Sequence, residues 1–357
     1  MRGSAALVFS ISSVLLLAGP ASGQTANPAP PLVAPAPGLA PAPSRTPAPA
    51  MAAPSPALPA MRAAAPAAPQ RPATTAQAPA PAPIAAGGRA VPFSPPMPKC
   101  EHPGALGVSR TVEIDTTGGP GFGFEHFKQH DFLRDKEVVL TFDDGPWVTT
   151  PTVLKALADE CVKATFFSIG KHATYYPETL RLVAKAGHTI GSHTWSHTDL
   201  AKKTPEEAKE EIEKAVSAVK WALENDGQEA PFFRFPGLSH PPGMVTYLGE
   251  RNIAIFSTDI DSFDFKTRKA EQVIKNVMTK LQKRGKGIVL LHDFRQATSH
   301  AVPQLLAQLK AGGYKIVHMR PAVAVTSLPQ YDEELLKDQK LPTVNQKPTS
   351  SIVRTVE

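Results

Sequence analysis

Val138-Val139-Leu140-Thr141-Phe142-Asp143-Asp144-Gly145-Pro146 starts as an apolar, β-branched run and ends on two adjacent carboxylates followed by a turn-forming pair. The run reads as an apolar strand that leads into a glycine. Neighbouring residues of a regular strand point to opposite faces, so two aspartates that work together require the strand to end at them. Gly145-Pro146 supplies that stop.

Runs of the same kind recur at 165–169, 188–191, 232–235, 253–256, 288–291 and 315–318. Helix-like stretches lie between most of them, at 150–160, 177–186, 205–225, 270–283 and 302–311. The third carries Glu/Lys pairs at helical spacing and apolar Ile212, Val216, Val219 and Leu223. Strand and helix alternating about seven times predicts an α/β fold with a parallel sheet, open or closed into a barrel. In either form ligands bind beyond the C-terminal strand ends. Residues 99–330 are long enough for one domain with a substantial core. Residues 331–357 are polar and read as a flexible tail.

The net charge of +6 suggests a basic protein until the chain is divided. Residues 1–100 contain no Asp or Glu and six basic residues, which leaves 32 basic and 32 acidic residues in 101–357. The folded part is therefore neutral, and nothing in it argues for a nucleic-acid groove. Residues 1–23 combine Arg2, an apolar stretch from Ala5 to Ala18 and the small-residue end Ala21-Ser22-Gly23, as in a secretory signal peptide. An uncleaved membrane anchor is the alternative. Residues 24–98 are mainly Pro and Ala and hold more than half of the 38 prolines. Such a segment lacks the apolar side chains that offset ordering entropy and reads as a disordered linker, spanning on the order of 200 Å when extended. The chain is thus expected to be exported, to the periplasm, cell envelope or outside. Cys100 and Cys161 suit that compartment; they read either as a disulfide pinning the lead-in onto the core or as two inert thiols.

Polar groups gather at the expected strand ends: Asp143-Asp144 after the first, His193 after the third, Arg234 on the fourth. Asp259, Asp261 and Asp264 follow the fifth, and His292-Asp293 ends the sixth. His193 and His197 are four apart, the spacing of one face of a helical turn, as a zinc-type metal needs. Spacing alone is weak evidence, because His126 and His130 repeat it and read as a surface pair. With Asp144 added, a His-His-Asp site becomes the leading reading.

In order and spacing, Thr141-Phe142-Asp143-Asp144-Gly145, Ser192-His193-Thr194-Trp195-Ser196-His197, Arg234-Phe235-Pro236, Asp261-Ser262-Phe263-Asp264-Phe265 and Leu290-Leu291-His292 resemble the five motifs of the polysaccharide deacetylases. This is carbohydrate esterase family four, with chitin, peptidoglycan and chitooligosaccharide deacetylases. The similarity covers roughly 135–320. It implies a distorted (β/α) barrel and divalent-metal hydrolysis of N-acetyl groups on amino sugars, with zinc first among the metals and cobalt as another. It assigns Asp144, His193 and His197 to the metal, which polarises the acetyl carbonyl and acidifies water. Asp143 would be the general base and His292 the acid that protonates the leaving amine. Asp264 would hold His292, Arg234 would orient Asp143, and the Gly237 N–H would help bind the oxyanion. Phe265, Leu290 and His240 fall at groove positions.

Bland readings stand beside these. Asp143 could cap a turn, Arg234 and Asp264 could pair with each other, and His292 could be a core histidine. Asp259 and Asp261 fit helix capping or solvated loops as well as function, and Trp195 and Trp221 read as packing. Two departures touch the groove: Gly237 stands where the family usually has an aromatic residue, and Phe265 where it usually has tryptophan. The expected function is N-deacetylation of a GlcNAc-containing glycan by a monomeric enzyme. Removal of O-acetyl groups and silent glycan binding are the alternatives.

Overall fold

In a computed structural model, Phe93, Cys100 and residues 102–338 are described. The signal peptide expected at 1–23, the linker at 24–98 apart from Phe93, and the tail beyond 338 lie outside the described residues.

The chain forms β1 (Arg110–Ile114), β2 (Gly121–Phe122), β3 (Glu137–Asp143), α1 (Thr150–Asp159), β4 (Thr165–Ser168), α2 (Gly170–Tyr175), α3 (Pro177–Lys185) and β5 (Thr189–Ser192). It continues through α4 (Pro205–Leu223), β6 (Phe232–Phe233), α5 (Pro242–Glu250), β7 (Ala254–Phe256), β8 (Ile260–Asp261) and α6 (Ala270–Arg284). β9 (Gly287–His292), α7 (Gln296–Ala311), β10 (Lys315–Pro321) and α8 (Pro329–Lys337) complete it. All strand pairs are parallel. The ring runs β8-β9-β3-β4-β5-β6-β7, with β2 beside β7 and β10 and β1 extending the sheet from the start of β3. No pairing joins β7 to β8 among the described residues, so this is the expected seven-stranded α/β barrel, distorted and open on that side.

Period-two alternation sorts the strand residues into two cores. Val138, Leu140 and Phe142 of β3 point outward onto the helices with Val289 and Leu291 of β9. Val139, Phe167, Phe232, Phe256 and Ile288 fill the interior. The inward set of β3 therefore continues Val139, Thr141, Asp143, which delivers the first carboxylate to the top of the barrel. α4 is held at its start by a reciprocal cap: Thr204 accepts from the Glu207 N–H, and the Glu207 carboxylate accepts from the Thr204 N–H.

Three expectations change. The helix placed at 302–311 begins at Gln296, with Pro303 inside it; proline removes an intrahelical donor and reads as a boundary, but here the turn before it is packed and kept. The tail expected from 331 instead opens as part of α8, where Leu335 is buried and Lys214 bonds Glu334 and Asp338, each at 2.9 Å. The polar composition hid an amphipathic turn. The sequence also passed over β1, β2, β8, α2 and α5, most of them too short to show a period. The two cysteines form a disulfide, Cys100–Cys161, with Cα atoms 5.5 Å apart. The lead-in is tied further by the Leu106 N–H to Glu160 Oε2 at 2.6 Å.

Candidate active site

β3 ends at Asp143, and Asp144 then takes a left-handed backbone (φ 70°). That turn lets consecutive carboxylates converge on one site, as the Gly145-Pro146 stop implied. β5 ends at Ser192 and leads into His193, while β9 ends on His292 itself.

Asp144, His193 and His197 offer three ligand atoms within 4.8 Å of one another. His193 Nε2 and His197 Nε2 lie 3.4 and 3.3 Å from Asp144 Oδ1. That oxygen is buried and has no hydrogen-bond partner among the described residues. His193 Nδ1 donates to the Arg234 carbonyl at 2.7 Å, which leaves Nε2 with its lone pair toward Asp144. Burial holds the His193 ring far below its usual pKa, at about 3, so it stays neutral as a ligand must. An orphaned carboxylate oxygen between two imidazoles fits a divalent cation of zinc type.

The helical turn expected for His193 and His197 is absent. Residues 193–199 form a loop in which Thr194 (φ 65°) and His197 (φ 57°) are left-handed. The spacing of four is right, but loop geometry rather than helical rise brings the rings to 5.0 Å. The loop is held from outside by Glu211 of α4, which accepts from Ser196 N at 2.9 Å and Ser196 Oγ at 2.7 Å. The Trp195 N–H also bonds the Glu211 carbonyl. Glu211 had no sequence signal beyond its place on a helix.

On one side of this group lies Asp143, which burial pushes upward in pKa against the Arg234 charge. Arg234 Nη1 donates to Asp143 Oδ1 at 2.8 Å and to Thr141 Oγ1 at 2.7 Å. Its other nitrogens donate to the carbonyls of Phe256 and Ser257, and the guanidinium stacks over Phe167 at 4.4 Å. On the other side His292 Nδ1 donates to Asp264 Oδ1 at 2.6 Å. The His292 backbone N–H and the Thr298 hydroxyl donate to Asp264 Oδ2. Burial opposes a charge on His292, but the bonded Asp264 and the nearby Asp144 and Asp143 outweigh it and hold the ring at about 9. Its Nε2 faces inward, 3.9 Å from Asp144 Oδ2, and Asp143 Oδ2 is 3.9 Å from His193 Nε2. A carboxylate and a protonated imidazole thus flank one Asp/His/His group.

With that geometry in view, residues 131–254 match the family model "Polysaccharide deacetylase". A peptidoglycan-N-acetylglucosamine deacetylase of Bacillus cereus is 32% identical over 54% of this chain and 69% of its own length. A chitin deacetylase of Colletotrichum lindemuthianum is 31% identical over 50% of this chain and 76% of its own. The chain belongs to the polysaccharide deacetylase family. A peptidoglycan-N-acetylglucosamine deacetylase of Listeria monocytogenes is 34% identical over 51% of this chain, but the match takes in only 38% of that longer protein. Among solved structures, the peptidoglycan deacetylase Bd3279 of Bdellovibrio bacteriovorus superposes with a TM-score of 0.55 at 32% identity, over 65% of this chain and 64% of that one.

In this member of the family the bland readings separate. Arg234 and Asp264 do not pair with each other; each holds a different partner. Asp259 accepts from the Phe124 and Ile288 N–H groups and from Arg284, and Asp261 from the Phe263 N–H, so both serve local structure. Gly237 is left-handed (φ 60°) and open on its Cβ side. Phe265 is 46% exposed and sets its ring edge-on to His292, with centroids 5.8 Å apart. Leu290 is buried on the strand face of Ile288 and His292. His240 packs against His126, Phe127 and Phe235, with burial holding its pKa near 4. His126 and His130 are exposed, as expected of a surface pair, although His126 Nδ1 also meets Ser257 Oγ at 2.7 Å.

Two further residues support the site; His172 had no sequence signal, and Asp293 was noted only for its place at a strand end. His172 Nδ1 donates to the Asp144 carbonyl at 2.6 Å, bracing that residue's backbone. Asp293 is fully buried beneath the turn after Asp144, where Thr150 Oγ1 donates to its carboxylate and Thr149 Oγ1 to its carbonyl at 2.6 Å. Burial raises its pKa to about 7.

Proposed function

We propose that this chain is an exported, metal-dependent N-deacetylase of a glycan containing N-acetylated amino sugars. The observation that carries the reading is the placement of Asp143 and His292 on opposite sides of Asp144, His193 and His197. A divalent cation, zinc by the chemistry of the donor set, supplies a Lewis acid at that group when bound.

The chain's own residues divide the proton work. Asp143, kept ionised by Arg234, takes a proton from the water that attacks the acetyl carbonyl carbon. His292, kept protonated and oriented by Asp264, gives its Nε2 proton to the amide nitrogen as the C–N bond breaks. Acetate and a free amine result. The high pKa of His292 favours an amide over an ester substrate, because an amine must be protonated to leave whereas an alkoxide needs this less. The same groups argue against a silent binding domain, which has no use for a held base and a held acid. The names of the relatives point to peptidoglycan or chitin-like strands as the substrate class.

The test is release of free amine from chitooligosaccharides and peptide-free glycan strands by the full chain, with zinc or cobalt and again after chelation. Metal-dependent release, lost in Asp143→Asn and His292→Ala by on the order of 10²–10⁴-fold, is expected. Folded, metal-loaded protein that frees acetate from O-acetylated glycans but no amine would overturn the assignment.

A further inference from the structure

The rim beside His292 carries more positive charge than the proposed hydrolysis uses. A cavity of about 380 Å³ opens there between Thr267-Arg268 and Phe294–His300. It adjoins the proposed acid: the ring centroids of Phe294 and Phe265 lie 6.2 and 5.8 Å from that of His292. Arg295 ties the two walls together by donating to the Phe265 carbonyl at 3.3 Å.

The lining includes Arg268, Arg295 and His300 and contains no carboxylate. The side chains of Arg268 and His300 enter no hydrogen bond or ion pair among the described residues, and Arg295 has no acidic partner among them. Lys266 lies over the Phe263 and Phe265 rings at the same edge, 4.4 and 5.4 Å from their centroids. An unopposed pair of guanidiniums around an aromatic wall is suited to an anion carried on a ring. Guanidinium binds carboxylate through paired N–H donors, and the aromatic face offers apolar area to the pyranose C–H groups. A neutral strand of N-acetylglucosamine would use the ring surface but not the charges.

We propose that this cavity is a subsite for a carboxylate-bearing sugar adjacent to the residue being deacetylated, with Arg268 and Arg295 as the carboxylate's partners. The inference rests on the deacetylase reading only in placing a glycan at His292. It makes the preferred substrate an anionic strand, with the charge on the sugar next along the chain.

Binding by the full-length Asp143→Asn protein, measured calorimetrically, separates this from turnover. The probes are a peptide-free tetrasaccharide of alternating N-acetylglucosamine and N-acetylmuramic acid, the same molecule with its lactyl carboxylates reduced to alcohols, and a form with the lactyl carboxyls amide-linked to a dipeptide whose terminus is free. The first is expected to bind about tenfold tighter than the reduced form, with the advantage lost in Arg268→Gln and retained in Arg268→Lys. Recovery of that advantage by the dipeptide form assigns the site to a peptide carboxylate; its absence there assigns it to the lactyl group. Equal binding of the carboxylate and reduced forms, or an advantage untouched by Arg268→Gln and Arg295→Gln, overturns the subsite. If wild-type protein binds as proposed and releases no amine from any probe, the deacetylase reading fails and the subsite stands.

Discussion

Arg234 Nη1 donates to Asp143 Oδ1 at 2.8 Å, and both side chains are closed to solvent. Burial pushes the Asp143 pKa upward, and the Arg234 guanidinium works against that push, favouring the carboxylate form a base requires. Arg234→Met should leave a buried acid without its cation. Activity is expected to fall by at least about 10²-fold, with a stability loss of about 3–5 kcal/mol. Paired kcat and urea-unfolding measurements check this; unchanged kcat would show that Asp143 is not the base.

His292, raised to about 9, should set the alkaline limb of kcat. The sign follows from its protonated form being the active one: activity is lost as pH rises through that value. Asp264→Asn removes the main partner of the charge and should move the limb to lower pH. The same group stabilises the fold most below its unfolded pKa of about 6.5, and that contribution disappears as pH climbs toward 9. Unfolding at the two ends of this window, in wild type and Asp264→Asn, should show the pH-dependent term shrinking in the variant. An alkaline limb that stays in place would assign the acid elsewhere.

Zinc should raise the melting temperature of the full chain in a concentration-dependent way, because the Asp144, His193 and His197 group exists only when folded. At 100 times Kd the gain is about 2.7 kcal/mol. Asp144→Asn should abolish most of the shift without any reference to turnover. A shift that survives this substitution would locate the cation at another site.

Gly145 lies directly over Asp293, and a Cβ there would overlap both carboxylate oxygens. Gly145→Ala should therefore cost about 1–3 kcal/mol by overpacking. It should also disturb the turn that aims Asp144. Combining it with Asp293→Ser should recover part of the loss, and a strictly additive pair would disprove the clash.

The Cys100–Cys161 disulfide closes a separation of 61 residues and anchors the lead-in to the end of α1. Reduction, or Cys100→Ser with Cys161→Ser, should lower stability by about 2–4 kcal/mol. Activity below the new melting temperature should change little, since the bond is at the helix end and the site at the strand ends. Thermal unfolding with and without reductant checks the first part, and an assay at low temperature the second.

Much of the architecture was legible because it is periodic or abrupt. Apolar runs separated by amphipathic stretches defined seven of the ten strands, and Asp143-Asp144-Gly145-Pro146 announced the end of β3. β2 and β8, of two residues each, carry no period and were missed. His193 and His197 do meet, but for a different reason from the one the spacing suggested: a loop with two left-handed residues, not a helical turn, brings their rings together. Polar composition likewise concealed α8, whose acidic residues meet Lys214 and Lys220 of α4 while Leu335 is buried.

Strand-and-helix order, the residue types at the strand ends and their family resemblance could all be read along the chain, since these depend on local pattern. Which charge answers which is set by the folded chain. Arg234 meets Asp143 across 91 residues and Asp264 meets His292 across 28, while Glu211 and Asp293 brace the site from helix and turn. Electrostatic pairing and desolvation depend on distance and burial, and neither is encoded at any one position of the chain.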